Sequence, residues 1–147
     1  MPEGTVLAFD FGTKRIGVAI GENIAGSARS LTTIAGEAND ARFAAIARLV
    51  EEWQPACLVV GLPLTLDGAE HEMTARCRRF AHQLEGRFRL PVELVDERLT
   101  SAEAESTLRA AGRAPRTPGN LRNDKARVDA EAARIILQNW FDHAHAA

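Results

Sequence analysis

The sequence predicts an α/β protein built on one mixed sheet with helices on both faces. Three observations carry that prediction. Period-two apolar alternation dominates the first third of the chain and gives way to helical spacing after residue 40. A continuous apolar run, Cys57 to Val60, is closed by Gly61-Leu62-Pro63, as suits a strand buried on both sides. The resulting order, β-β-β-α-β-α-β-α-α, gives an antiparallel trio followed by two parallel strands, five in all. At 147 residues, without repeats or a linker-like stretch, the chain reads as one domain spanning 1–147.

The elements follow in order. Val6 to Asp10 is apolar up to its last residue, and Ile16, Val18 and Ile20 alternate strictly in a second strand. A third strand is expected around Ala28 to Ile34. From about Asp40 to Trp53, Phe43, Ile46, Ala47 and Val50 fall on one helical face, with Asp40 suited to the N-cap. After the Cys57 strand, a helix is expected from Glu72 to about Gly86, a strand from Pro91 to Val95, and a short helix from Thr100 or Ser101 to Ala111, stopped by Gly112. Two prolines and a glycine make Arg113 to Asn123 a loop. The last helix is expected over about Asp124 to Phe141, ahead of a frayed tail holding His143 and His145.

Composition narrows the function. A hydrophobic share of 46% with 26% charged residues is a globular balance, and no stretch approaches the roughly 18 apolar residues of a membrane span. The two cysteines, Cys57 and Cys77, lack any metal-ligand spacing and read as reduced core thiols of a cytoplasmic protein. Net charge is −2, yet the segment from Arg109 to Arg127 carries +5 and leaves −7 on the remainder. A basic loop on an acidic body is the footprint of a polyanion partner, or simply a solvated loop.

Three acids need explaining. Asp10 ends an apolar strand on the parity of Val6 and Ala8, and an unpaired buried carboxylate costs several kcal/mol, on the order of a full pKa perturbation, unless something uses it. Its bland role is to cap the turn at Gly12. Asp129 lies on the helical stripe of Ala132, Ala133, Ile136 and Trp140, whereas Glu131 falls opposite, beside Arg134. Lys125, one turn earlier, shares the Asp129 stripe, so a structural salt bridge is the plain alternative. The third candidate is Asp96 or Glu97, between which strand parity does not choose. Carboxylates of this kind suit Mg²⁺ or Mn²⁺, and two such ions about 4 Å apart clamp the attacking and leaving oxygens of a phosphodiester.

Four segments, LAFDFGTKRIGVAIGE, VVGLPLTLDG, DERLTS and DKARVDAEAARIIL, together resemble the YqgF or RuvX family of bacterial proteins, relatives of the RuvC resolvases. The resemblance covers nearly the whole chain. It implies an RNase H-like fold and a metal-dependent nuclease, acting in 5′-end processing of precursor 16S rRNA or in Holliday junction resolution. Matched residue by residue, it places the acidic site on Asp10, Glu97 and Asp129, with Asp10 bridging two Mg²⁺ or Mn²⁺ ions. Lys14, Arg98, Thr100 and Lys125 match further characteristic positions and are expected to contact phosphate. Arg113, Arg116 and Arg122, in the basic loop, are expected to do the same.

Two rival readings remain. DFGTK also resembles the first phosphate-binding segment of sugar kinases, actin and Hsp70-type ATPases, but those need two such domains and this length supplies one. A non-catalytic RNA-binding protein would keep the basic loop and use the acids for a structural metal at most. The partner is expected to be nucleic acid, precursor rRNA or branched DNA, with no membrane contact, and the state a monomer or homodimer, since paired cuts on a junction require two sites. His71 reads as a loop residue, Trp53 and Trp140 as packing groups, and Arg76, Arg78 and Arg79 as a solvated helix face, with a second phosphate contact as the alternative.

Overall fold

In the computed structural model, the described residues are 4–65, 67–97 and 121–145, and of residues 121–126, 144 and 145 the backbone alone. The expected short helix from Thr100 or Ser101 to Ala111 lies outside them, as does the loop up to residue 120. The elements are β1 (Thr5–Phe11), β2 (Arg15–Glu22), β3 (Ser27–Ala35), α1 (Asn39–Trp53), β4 (Cys57–Leu62), α2 (Glu72–Phe88), β5 (Val92–Asp96) and α3 (Leu121–His145). Among the described residues they form one five-stranded sheet, in the order β3-β2-β1-β4-β5. The β1–β2 and β2–β3 pairs are antiparallel and the β1–β4 and β4–β5 pairs parallel, as the sequence predicts.

Side-chain size divides the two faces. Leu7, Phe9, Ile16, Val18, Ile20, Leu58 and Val60 point to one side and pack with Phe43 and Ile46 of α1 and Phe80, Ala81 and Leu84 of α2. Phe80 meets the edge of Phe9 at 5.9 Å and lies 4.8 Å from Phe11, so aromatic contacts close this layer at the end of β1. The opposite face carries Val6, Ala8, Ala19, Cys57 and Val59, against which Ala133, Ile136, Leu137 and Phe141 of α3 pack. Burial pushes the thiols of Cys57 and Cys77 up, to about 11 and about 12, so both are inert core groups.

Several boundaries differ from the sequence reading. Ala38, which offers no side-chain cap, stands at the N-cap of α1, and Asp40 sits in the first turn instead. The buried stripe of α1 is Arg42, Phe43 and Ile46, with Leu49 and Val50 half-buried and Ala47 exposed. His71 caps α2: its Nδ1 accepts from the Met73 amide at 3.2 Å, while Thr74 Oγ1 accepts from the His71 amide at 3.0 Å. The last helix starts at Leu121 and runs to His145, so residues 121 to 123 are helical rather than loop, and His143 lies within the helix rather than a frayed tail. Its ring nitrogen is 2.7 Å from the Asn139 carbonyl, an i−4 contact that ties it to the last turns.

Missing side chains let α3 approach. A Cβ on Gly17 would stand 2.0 Å from the Asp129 carbonyl oxygen, one on Gly21 2.7 Å from the Phe141 ring, and one on Gly61 2.5 Å from Ile136 Cδ1. All three glycines face α3, and backbone cannot yield as a flexible side chain can. Gly17→Ala is therefore expected to lower stability by about 1–3 kcal/mol, the usual cost of overpacking, as a fall in urea midpoint at unchanged slope.

A candidate active site at one edge of the sheet

Asp10 is the penultimate residue of β1 and pairs across the sheet with Gly17 of β2. The β1–β4 register runs to Phe9 opposite Val60, and one further step sets Asp10 beside Gly61. A carboxylate is thus flanked on both neighbouring strands by residues without side chains, on the face that α3 covers. Strand neighbours lie about 4.8 Å apart, so the two gaps are the natural seats for groups brought by other elements.

Glu97 fills one of them. It follows β5 directly, and its amide donates to the Leu62 carbonyl at 3.0 Å, extending the ladder with β4 by one residue. Asp96 pairs with Leu62, so Val95 and Glu97 share the parity of Gly61, and a Cβ on Gly61 would meet the Glu97 carboxyl carbon at 3.1 Å. Geometry separates the two acids where parity alone left them level: Glu97 shares a side-chain hydrogen bond with Asp10, and Asp96 is exposed.

Asp129 takes the other side. Its backbone rests on Gly17, and its carboxylate Oδ2 receives Arg15 Nε at 2.6 Å. Arg15 reaches the carboxylate because it stands two residues before Gly17 on the same face of β2; the Lys125 side chain, offered by the sequence as an alternative partner, lies outside the described residues. The sequence places the Arg15 charge near Asp10 but not its pairing with Asp129, although its parity with Gly17 and Ala19 was a usable signal. Glu131 accepts from Arg134 at 2.6 Å and from the Ser30 hydroxyl at 3.3 Å, which holds the next turn of α3 over β3. The expected Glu131–Arg134 proximity is present.

Charge is concentrated here. Burial holds the Asp10 carboxyl proton well above the ordinary carboxylate range, helped by the hydrogen bond to Glu97 and by the negative charges of Glu97 and Asp129. Two carboxyls in contact require a shared proton or a cation between them, and oxygen-only donors suit a hard divalent ion. Asp10 and Glu97 therefore fit such an ion as a pair. Asp129 is drawn toward Arg15, and among the described residues no group of three His, Cys, Asp or Glu side chains is already drawn together closely enough to hold a metal.

The other predicted residues distribute as follows. Lys14 is exposed in the β1–β2 turn, close in sequence to Asp10, and its carbonyl accepts from the Gly36 amide at 3.0 Å. Arg122 and Lys125 belong to the first two turns of α3, whose backbone leads directly to Asp129. Arg98, Thr100, Arg113 and Arg116 lie outside the described residues.

A family model described as "RuvX: Holliday junction resolvase" matches residues 4–143. A curated relative from Methylobacillus flagellatus is 60% identical over 139 residues, which are 95% of this chain and 91% of the relative; it bears the name "Putative pre-16S rRNA nuclease". One from Dechloromonas aromatica, with the same name, is 56% identical over 97% of this chain and 93% of its own. Among solved structures, T. thermophilus RuvC in complex with a Holliday junction substrate superposes with a TM-score of 0.55 at 15% identity, covering 96% of this chain and 95% of that one. The Fowlpox virus resolvase in complex with Holliday junction DNA gives a TM-score of 0.62 at 9% identity, over 96% and 99%. At such identities the likeness establishes the fold, and the RNase H-like architecture expected from the sequence is the one these resolvases share.

Asp10 sets the sign of a pH effect. A carboxyl whose folded pKa is raised stabilises the fold below the unfolded pKa, near 4, and that contribution is lost as pH rises through the folded value. Asparagine does not ionise. In chelator, Asp10→Asn is expected to exceed wild type in stability at pH 8, with the gap closing as pH falls to about 4, as read by urea titrations along a pH series.

Proposed function

The chain belongs to the RuvX family, and from that membership and the three carboxylates at one sheet edge we propose that it is a metal-dependent endonuclease acting on precursor 16S rRNA. The observation that carries the reading is the Asp10–Glu97 contact, with Asp129 held beside it through Gly17. The names of relatives more than 50% identical over nearly the full chain support the RNA substrate. Branched DNA is the second reading, favoured by the family description and by the fold shared with junction resolvases. A role in rRNA processing places the protein in the cytoplasm. Family membership also disfavours the kinase-like reading of DFGTK.

In this reading Asp10, Glu97 and Asp129 hold Mg²⁺ or Mn²⁺. When bound, the cation supplies positive charge to the phosphodiester and lowers the pKa of the attacking water. The chain's own groups do the rest. Asp10, fixed at a strand end, gives the site its position. Glu97 accepts the hydrogen bond of the Asp10 carboxyl, whose proton is released when a cation takes that place. Arg15 holds Asp129 toward β2, and Asp129 must rotate away from Arg15 Nε to join the other two acids. Arg15 is then a positive charge at the site, suited to a substrate phosphate. Lys14 on one side and Lys125 and Arg122 on the other border the acids along the chain, with Arg98, Thr100, Arg113 and Arg116 assigned to phosphate contacts by family position or local charge. Such contacts set register and affinity rather than sequence preference.

Two outcomes check this. Asp10→Asn and Asp129→Asn should each lower Mn²⁺- or Mg²⁺-dependent cleavage of a precursor 16S fragment by more than the 10–100-fold, roughly, that groups outside a metal's ligand shell cost; cleavage at the wild-type rate, or turnover on a four-way junction alone, would refute the assignment. Lys125→Ala should weaken RNA binding and reduce the slope of log affinity against log salt by about 0.7–0.9, the share of one phosphate contact. A slope that stays unchanged removes Lys125 from the contact surface.

A further inference from the structure

Strand alternation turns Phe11, next to Asp10, to the opposite face of the sheet. There it borders a cavity of about 420 Å³ between α1, α2 and the β1–β2 turn, a volume within the range of small-ligand sites. Three guanidinium groups line it: Arg42 from α1, and Arg76 and Arg79 from α2. Phe11 and Phe80 supply an apolar wall, and Thr13, Asn39 and Gln83 add neutral hydrogen-bonding groups. Among the described residues Glu37 is the lone carboxylate of the lining, which leaves them a net +2.

Arg42 shows that the site is built rather than incidental. Its residue is 4% exposed, which is rare for a charge. Nε donates to the Gly36 carbonyl at 2.8 Å and Nη2 to the Gly12 carbonyl at 2.5 Å, with the guanidinium 5.4 Å from the Phe11 ring centre. Those bonds orient the fork, and Nη1 makes no hydrogen bond among the described residues while the side chain lines the cavity. Arg76 is paired with Glu72 at 3.1 Å on an exposed helix face, a weak restraint. Arg79 has neither a hydrogen bond nor an ion pair among the described residues, unlike Arg78, which is held by Glu70 outside the cavity.

We propose that this cavity binds a nucleotide phosphate, with Arg42, Arg76 and Arg79 on the phosphate and the Phe11–Phe80 wall against the sugar or base. Planar guanidinium donors match phosphate oxygens in pairs, and the aromatic wall favours a nucleotide over a bare anion. Two sources share that chemistry: a free mononucleotide, or a nucleotide of the substrate strand passing over the β1–β2 turn from the carboxylates. The second source alone rests on the nuclease reading.

The test titrates the full chain, in chelator and in the Asp10→Asn background, with adenosine 5′-monophosphate, a short oligoribonucleotide and adenosine, by calorimetry. Binding of at least one phosphate-bearing probe is expected, adenosine binding at least tenfold more weakly. Arg79→Glu should weaken the bound probe about tenfold and Arg76→Glu several-fold, both sites being exposed enough to leave the fold intact by circular dichroism. Binding of the mononucleotide identifies a free ligand, and binding of the oligonucleotide alone identifies the substrate strand. No binding by either probe, or binding that neither arginine variant weakens, overturns the proposal. A chain that binds in this way yet leaves precursor rRNA uncut sinks the nuclease reading and leaves the cavity assignment standing.

Discussion

Repulsion among three carboxylates is the constraint around which this edge of the sheet is arranged. Asp10 sits at a strand end with a raised proton affinity because burial, Glu97 and Asp129 all oppose its charge. An arrangement that unfavourable persists only where surrounding structure holds it, and the holding is done by close backbone contact rather than by ion pairs alone. Gly17 and Gly61 leave room on either side of Asp10, and the neighbouring elements fill that room with Asp129 and the Glu97 side chain. Side chains on those two strand positions would keep the other acids away. Proteins commonly trade stability for such a site.

The same logic runs through the whole layer. Leu, Ile and Phe on one face of the sheet demand the ordinary spacing between sheet and helices, and α1 and α2 meet it with Phe43, Phe80 and Leu84. Ala8, Ala19 and the three glycines on the other face demand much less, so α3 lies close enough for its backbone to touch β2. The three carboxylates occupy the thin side. An inward aspartate on a helix at normal distance would fall short of a carboxylate on the strand below.

Much of this was legible in the chain. Alternation and the change to helical period recovered the order of elements along the chain and the antiparallel-then-parallel pairing, because those signals come from burial, which the sheet dictates. The stripe of Ala132, Ala133 and Ile136 likewise turned Asp129 toward the sheet. What local pattern could not supply was register. Strand parity left Asp96 and Glu97 level, so that only the family resemblance chose Glu97 and the Leu62 pairing supplies the physical reason; the Arg15 partner of Asp129 required knowing that β2 passes beneath α3. The cap of α2 was similarly hidden, since a histidine serves there only because Thr74 reciprocates. Arg42 was missed because a charge within an apolar stripe reads as exposed until two loop carbonyls are seen to receive it.

Those carbonyls tie the two faces together. Gly12 belongs to the turn that follows Asp10, and a Cβ there would stand 2.6 Å from the Arg15 carbonyl, so the turn is tight. Arg42 grips that turn from one side of the sheet, while Arg15, at its far end, grips Asp129 on the other. The five residues from Phe11 to Arg15 are thus held from both faces of the sheet, by the Arg42 bond to Gly12 on one and by the Arg15–Asp129 pair on the other, so the position of the turn beside Asp10 does not rest on the core alone.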